Sequence, residues 1–391
     1  MEKLSALAVF HNLCGDPVLS LLETALSPEG TPAHYARFAN ELFSRGGDLG
    51  LYIEKTVLED ENPYIAAVAR GRQVPPELER DVQKELAALQ EYTELDRDIL
   101  RKMSGFDGYM AEFASSKVDL KESYRRRCLE VGKKGYGKYA AGTMFAVNGE
   151  GRIVPVKYPD PVRLSQLVDY RREQGLIIQN TKALLAGLPA ANMLLTGDAG
   201  TGKSSTVKAV ANEFSGEGLR LVEIKKNQLG MLQEIMAELS EIPLKFVIFI
   251  DDISFSGSDD AFNALKGALE GSVSVRARNV AIYATSNRRH LVEERFSDRE
   301  GDEVHRRDVM EQQSSLADRF GGHVLFKRPD KATYLNIVRR LAEQEGVKKA
   351  EPELFAEAER YALEKGGRSA RNARYFVDSL SRTNAENNCC K

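Results

Sequence analysis

The chain has 391 residues, 42% of them hydrophobic, enough for two or three domains with cores of their own. A formal net charge of −3 excludes nucleic-acid binding by overall basicity, so any such contact must come from a local patch. Four cysteines (Cys14, Cys128, Cys389, Cys390) and five histidines show no metal-ligand spacing, which fits a reducing, cytoplasmic setting.

No apolar run approaches the length that spans a bilayer. Leu4–Phe10 (LSALAVF) imitates the apolar core of a signal peptide. It lacks a clean cleavage site and runs on into helix-like sequence, so neither secretion nor a membrane partner is expected. Residues 1 to about 130 read as helical, with apolar residues at three-to-four spacing over Tyr35–Thr56 and Pro76–Met103. Pro28–Pro32 and Glu61–Pro63 separate these pieces. The stretch Lys121–Tyr139 (KESYRRRCLEVGKKGYGKY) holds three consecutive arginines and three interleaved tyrosines. Such a stretch fits a grip on phosphate backbones, but a solvated helix face is the preferred reading.

Thr143–Tyr158 predicts a β-hairpin turning at Asn148–Gly151, and a domain boundary is expected just beyond it, near Pro159–Pro161. From about residue 162 strands and helices alternate, the mark of a mostly parallel α/β sheet. The expected strands are Asn192–Thr196, Leu219–Ile224, Phe246–Ile250, Val280–Thr285 and His323–Phe326. Beyond Pro329 the pattern is helical, over Lys331–Gln344, Pro352–Lys365 and Ser369–Arg382, with a frayed polar tail from Asn384. The domains expected are therefore a mainly helical 1–160, an α/β core 161–328, and a helical lid with a short tail, 329–391.

Gly197-Asp198-Ala199-Gly200-Thr201-Gly202-Lys203-Ser204 matches G-x-x-x-x-G-K-[ST] in full. Its glycines let backbone N–H groups converge on phosphate oxygens at the start of a helix, where the dipole is positive. Lys203 is suited to the β- and γ-phosphates and the Ser204 hydroxyl to Mg²⁺, with Ser205 next in line at the same helix start. Downstream, KFVIFIDD (Lys245–Asp252) reads as a buried strand ending in two carboxylates. Asp251 is the candidate for the Mg²⁺ shell, and Asp252 for orienting or deprotonating the attacking water. The competing reading, a mere helix cap, loses ground to the phosphate loop upstream. ATSN (Ala284–Asn287) ends the next strand, ADRFG (Ala317–Gly321) precedes the last, and GGRSAR (Gly366–Arg371) opens the final lid helix.

In that order these motifs resemble the AAA+ ATPases. GDAGTGKS is similar to their Walker A, FVIFIDD to Walker B, ATSN to sensor 1, ADRFG to the arginine-finger region and GGRSAR to sensor 2. The chain most resembles a bacterial family of uncharacterised predicted AAA+ ATPases, through NTKALLAGLPAANMLLTGDAGTGKSSTVKAVANEF, DDISF, LKGALEG, YATSNRRHL and SLADRFG. The resemblance covers about residues 162–382 and implies an α/β core with a five-stranded parallel sheet, a C-terminal helical lid, and Mg²⁺-dependent ATP hydrolysis. It implies that Asn287 acts as sensor 1, Arg319 as an arginine finger for a neighbouring subunit, and Arg371, with Arg368 as fallback, as sensor 2. Val168 and Tyr170 would flank the adenine, though Asp169 stands where relatives often have glycine. A homo-oligomer is implied, a hexamer among the forms expected, acting as a switch or remodelling factor on an unidentified protein client.

One departure stands out. Asp252 is a methylene shorter than the Glu that often ends such strands, which pulls the carboxylate back from the roughly 3 Å reach a base needs. The same DDI-x-F ending resembles the bacterial replication-initiator branch, which implies a slow, regulated ATPase. Two alternatives belong to other classes: a nucleotide-dependent nucleic-acid factor of the initiator or helicase-loader type, and a non-hydrolysing scaffold. The charged segment Glu293–Gln312 reads as a solvated loop, with a subunit contact as the sharper alternative.

Overall fold

The computed structural model describes residues 4–104, 108–254, 260–270, 278–287 and 318–389. The chain forms two compact units, Met1–Gly142 with Glu241–Leu244, and Thr143–Ser240 with Lys245–Lys391. The charged segment Glu293–Gln312 lies outside the described residues.

The first unit is helical, as its periodicity predicts, but two long helices are broken. Pro32–Ser44 and Leu49–Glu59 replace the single run expected over Tyr35–Thr56. Gly46 and Gly47 take φ of 108° and 76°, the Gly47 amide closes back on the Leu42 carbonyl at 2.9 Å, and Asp48 caps the next helix. Pro76–Met103 divides into Pro76–Thr93 and Arg97–Ser104, because Asp96 accepts the Ile99 amide at 2.7 Å and starts a new helix. At the centre, the buried Glu85 carboxylate accepts the amides of Ala8, Val9 and Phe10 at 2.8–3.1 Å. These charge-assisted bonds offset the cost of burying a carboxylate.

The basic stretch offers no row of stacking rings, because Tyr124, Tyr136 and Tyr139 are all buried. Arg125 is engaged by Glu122 through two hydrogen bonds of 2.8 Å. A phosphate grip with interleaved aromatics is therefore not what this segment builds.

The second unit carries the sheet. Its strands among the described residues are β1 (Met144–Val147), β2 (Ile153–Pro155), β3 (Met193–Gly197), β4 (Leu219–Glu223), β5 (Lys245–Ile250), β6 (Val280–Ser286) and β7 (Gly322–Phe326). They form one seven-stranded sheet in the order β2-β1-β4-β5-β6-β3-β7. β2 runs antiparallel to β1, and every other pairing is parallel. The expected five parallel strands are all present, within a residue at either end. The correction is at the edge: the hairpin β1–β2 extends this sheet, Met144 pairing with Leu221 of β4, so the units divide after Gly142 and not near residue 160.

β3, β5 and β6 are buried on both faces, as strands covered on two sides must be. On one face Leu195, Phe249, Tyr283 and Phe326 meet Ile177 and Leu184 of the helix Arg171–Leu185, and Val207 and Val210 of the helix Lys203–Glu213. Each such side chain contributes about 1.5–3 kcal/mol through burial. The buried Tyr283 hydroxyl is satisfied by Thr181 at 2.8 Å and Asn180 at 3.0 Å.

The lid helices are Lys331–Gln344, Glu351–Glu364 and Ala370–Cys389, closed around Tyr334, Ile337, Val338, Leu341, Leu354 and Phe376. The last one continues past Asn384, where fraying was expected, since neither Gly nor Pro interrupts it. Among the described residues no helix is long and apolar enough to cross a membrane.

Candidate functional site

The phosphate loop uses glycine at two tight positions, one of which no other residue could fill. Gly197 ends β3 with φ 140°, and a Cβ there would lie 2.0 Å from the Phe326 carbonyl oxygen of β7. Gly200 has φ 77°, and a Cβ there would come within 3.0 Å of the Arg371 Cβ. Asp198 and Ala199 carry the chain between them, and Gly202, at φ 93°, turns it into the helix that begins at Lys203.

Lys203 is 5% exposed, and its ammonium donates to the Gly197 carbonyl at 2.8 Å, the Asp198 carbonyl at 2.9 Å and Asn287 Oδ1 at 2.9 Å. Burial, the largest cause, draws its pKa below the ordinary lysine value, opposed by Asp252, Asp251 and Asp198. Its three donors thus rest on uncharged oxygens.

The exit of β5 is stitched to the end of β6. Ser204 Oγ and Thr285 Oγ1 both donate to Asp251 Oδ1 at 2.6 Å. The Asp252 amide donates to Thr285 Oγ1 at 2.8 Å, the Ile253 amide to the Thr285 carbonyl at 2.8 Å, and Ser286 Oγ to the Ile253 carbonyl at 2.9 Å. Asn287 Nδ2 donates to Asp252 Oδ1 at 2.7 Å. Between these anchors Asp252 adopts φ 53°, the left-handed region. Asp tolerates that conformation through local hydrogen bonding, and Glu does so far less well. The short acid has a backbone reason.

Many of these residues, though not Gly197, Asp198 or Ala199, border one cleft of about 630 Å³, within the size range of nucleotide and cofactor sites. Gly200, Thr201, Gly202, Lys203, Ser204 and Ser205 line it on one side, with Asp251, Asp252, Thr285 and Asn287 beside them. Val168 and Tyr170 line it as well. Tyr170 is anchored by its hydroxyl to the Lys327 carbonyl at 2.7 Å and lies against Phe326. Asp169 has φ 62°, which is why glycine would suit its position, and its carboxylate accepts Asn336 Nδ2 at 3.0 and 3.1 Å.

Arg371 lines the cleft and its amide donates to the Gly200 carbonyl at 3.1 Å. Arg368 does not line it and is held by Glu359 through bonds of 2.8 and 2.6 Å. Arg319, just before β7, is not among the lining residues.

Sequence reasoning missed Tyr375, which lines the cleft at 54% exposure, and the apolar wall of Ile337 and Leu341 from the lid. Tyr375 follows Arg371 by four residues on one helix, a spacing that puts both on one face and could have found it.

The donors suit Mg²⁺. Groups of three or more His, Cys, Asp or Glu that could hold a metal are absent among the described residues. Mg²⁺ at a phosphate loop needs only one or two protein oxygens, completed by phosphates and water. The Ser204 hydroxyl and Asp251 carboxylate, already sharing a hydrogen bond, are such a pair. Bound there, the ion would supply charge neutralisation at the phosphate oxygens.

A complete phosphate-loop sequence, a parallel sheet with acids at the tip of the strand two places away, and a helical lid beside them make up a phosphate-loop α/β fold. The chain belongs to the family described as "Protein of unknown function (DUF815)", which matches residues 137–384. A comparison with curated proteins gave no match. Among solved structures, one mutant of RuvB from Thermotoga maritima aligns at 17% identity with a TM-score of 0.39, over 56% of this chain and 64% of that one. A second RuvB mutant from the same organism aligns at 16% identity with the same TM-score, over 56% and 63%. The chain thus covers less than two thirds of these RuvB chains, and at that distance the likeness bears no functional weight.

Proposed function

We propose that this protein is an Mg²⁺-dependent ATPase with slow turnover, coupled to assembly with its own copies, that acts in the cytoplasm as a switch or remodelling factor on a protein client. The observation that carries the reading is the run of hydrogen bonds Lys203–Asn287–Asp252 beside Ser204–Asp251 in a single cleft. It gathers a phosphate-binding cation, a polar amide, a candidate base and a metal-ligating pair.

In this reading the loop amides and Lys203 hold the phosphates, Ser204 and Asp251 hold Mg²⁺, and Asp252, steadied by Asn287, takes the proton of the attacking water. Arg371 contacts the phosphates from the lid, while Val168 and Tyr170 border the base. Slow turnover follows from the short reach of Asp252. Dependence on assembly is the role assigned to Arg319, which does not line the cleft of its own subunit.

Calorimetric titration with ATP and a phosphate-release assay test the proposal. Lys203→Ala should weaken ATP binding by tenfold or more, about 1.4 kcal/mol, since it deletes a direct charge contact. Asp252→Asn should still bind ATP yet lose about 10²–10⁴-fold in turnover, the usual worth of a general base. Equal ATP affinity in Lys203→Ala and wild type, or equal turnover in Asp252→Asn, would overturn these assignments.

A further inference from the structure

We propose that Thr285 is a positioning residue that sets both acids of the site, orienting Asp251 through its hydroxyl proton and bending the backbone at Asp252 through its lone pair. The inference rests on the ATPase reading and deepens it.

A hydroxyl has one proton to give and two lone pairs to receive. Thr285 is 1% exposed and commits its proton to Asp251 Oδ1 and a lone pair to the Asp252 amide. One atom therefore holds a side chain and the neighbouring backbone together. Its carbonyl takes the next amide, Ile253, so two successive N–H groups of the β5 exit converge on this residue. That convergence holds Asp252 at φ 53° and turns its side chain to within 2.7 Å of Asn287.

The height of this clamp is set by the sheet. Thr285 pairs in register with Leu195 of β3, two residues before Gly197, so it is tied to the strand that feeds the phosphate loop. Asp251 Oδ1 accepts from both Ser204 and Thr285. If the Ser204 oxygen were engaged by Mg²⁺, Thr285 would still hold the carboxylate.

Thr285→Val keeps the shape and deletes the hydroxyl, Thr285→Ser keeps the hydroxyl and deletes the methyl, and Thr285→Ala controls for crowding. ATP affinity is measured by calorimetry in EDTA and across a Mg²⁺ series, with kcat and KM from phosphate release. Removing a group that orients a metal ligand typically costs about 10–100-fold in metal affinity or activity. Thr285→Val and Thr285→Ala should therefore need about 10–100-fold more Mg²⁺ to reach full ATP affinity, and lose kcat on a similar scale. Their ATP affinity in EDTA and their KM at saturating Mg²⁺ should stay within about threefold of wild type, and Thr285→Ser should restore the Mg²⁺ dependence. A Thr285→Val or Thr285→Ala protein with the wild-type Mg²⁺ dependence and kcat would overturn the assignment. So would a Thr285→Ser protein as impaired as Thr285→Val, since the methyl would then be what matters. If wild type shows no Mg²⁺-dependent ATP binding, the ATPase reading falls and takes Thr285 with it. If only the variants fail to differ, Thr285 alone falls.

Discussion

Replacing Asp252 by Glu lengthens the acid by one methylene, yet it should make the enzyme worse. Asp252 sits at φ 53°, where an ordinary L-residue costs about 1–2 kcal/mol and Asp is relieved by its short polar side chain. The extra methylene also displaces the carboxylate from its 2.7 Å bond to Asn287, a contact worth about 1 kcal/mol. The sum is a loss of about 2–3 kcal/mol, and a unit of this size shifts its melting point by about 2–4 °C per kcal/mol. Asp252→Asn keeps the left-handed backbone, so it should melt within about a degree of wild type while losing turnover. Differential scanning calorimetry with a phosphate-release assay separates the two substitutions: Glu lowers both stability and rate, Asn only the rate. An Asp252→Glu protein that melts with wild type and hydrolyses ATP faster would refute the argument that the backbone imposes the short acid.

The two lid arginines should behave differently on truncation. Arg371→Ala should weaken ATP binding measurably by calorimetry with little effect on melting, whereas Arg368→Ala, which leaves the half-buried Glu359 with the longer 3.8 Å contact to Lys331, should lower the melting point and spare ATP affinity. The Glu359 carboxyl is held below its ordinary value of 4.5, chiefly by its hydrogen bond from Arg368. The folded form thus binds that proton less readily than the unfolded form. The stabilisation is fully present above pH 4.5 and is lost as pH falls through the lower folded value. Glu359→Gln should therefore flatten the acid limb of a melting-point series below that pH. Finally, mixing Arg319→Ala subunits with Lys203→Ala subunits should restore activity that neither has alone, by as much as the roughly 10³–10⁵-fold an arginine finger supplies. Turnover independent of protein concentration, with no rescue on mixing, would remove Arg319 from the neighbour's site.

Where a signal is local and contiguous, this sequence determines its structure by itself. The phosphate loop carries its own glycines, its cation and its helix start in eight consecutive residues. β5 announces itself as a run of buried apolar residues, and the lid helix Lys331–Gln344 has the bounds that its apolar spacing predicts. What tertiary structure decided is everything that depends on which strand lies beside which. The hairpin β1–β2 reads as the end of the helical part, and only the pairing of β1 with β4 assigns it to the sheet. Arg368 and Arg371 are equivalent as letters. A carboxylate from the preceding lid helix claims the first, while the carbonyl of Gly200 receives the amide of the second and sets it over the phosphate loop. The choice of Asp at position 252 is invisible as a periodicity. It follows from Thr285, which is remote along the chain but adjacent across the sheet, where its hydroxyl and carbonyl draw two successive amides toward one residue and leave Asp252 a backbone that Glu would adopt only at a cost.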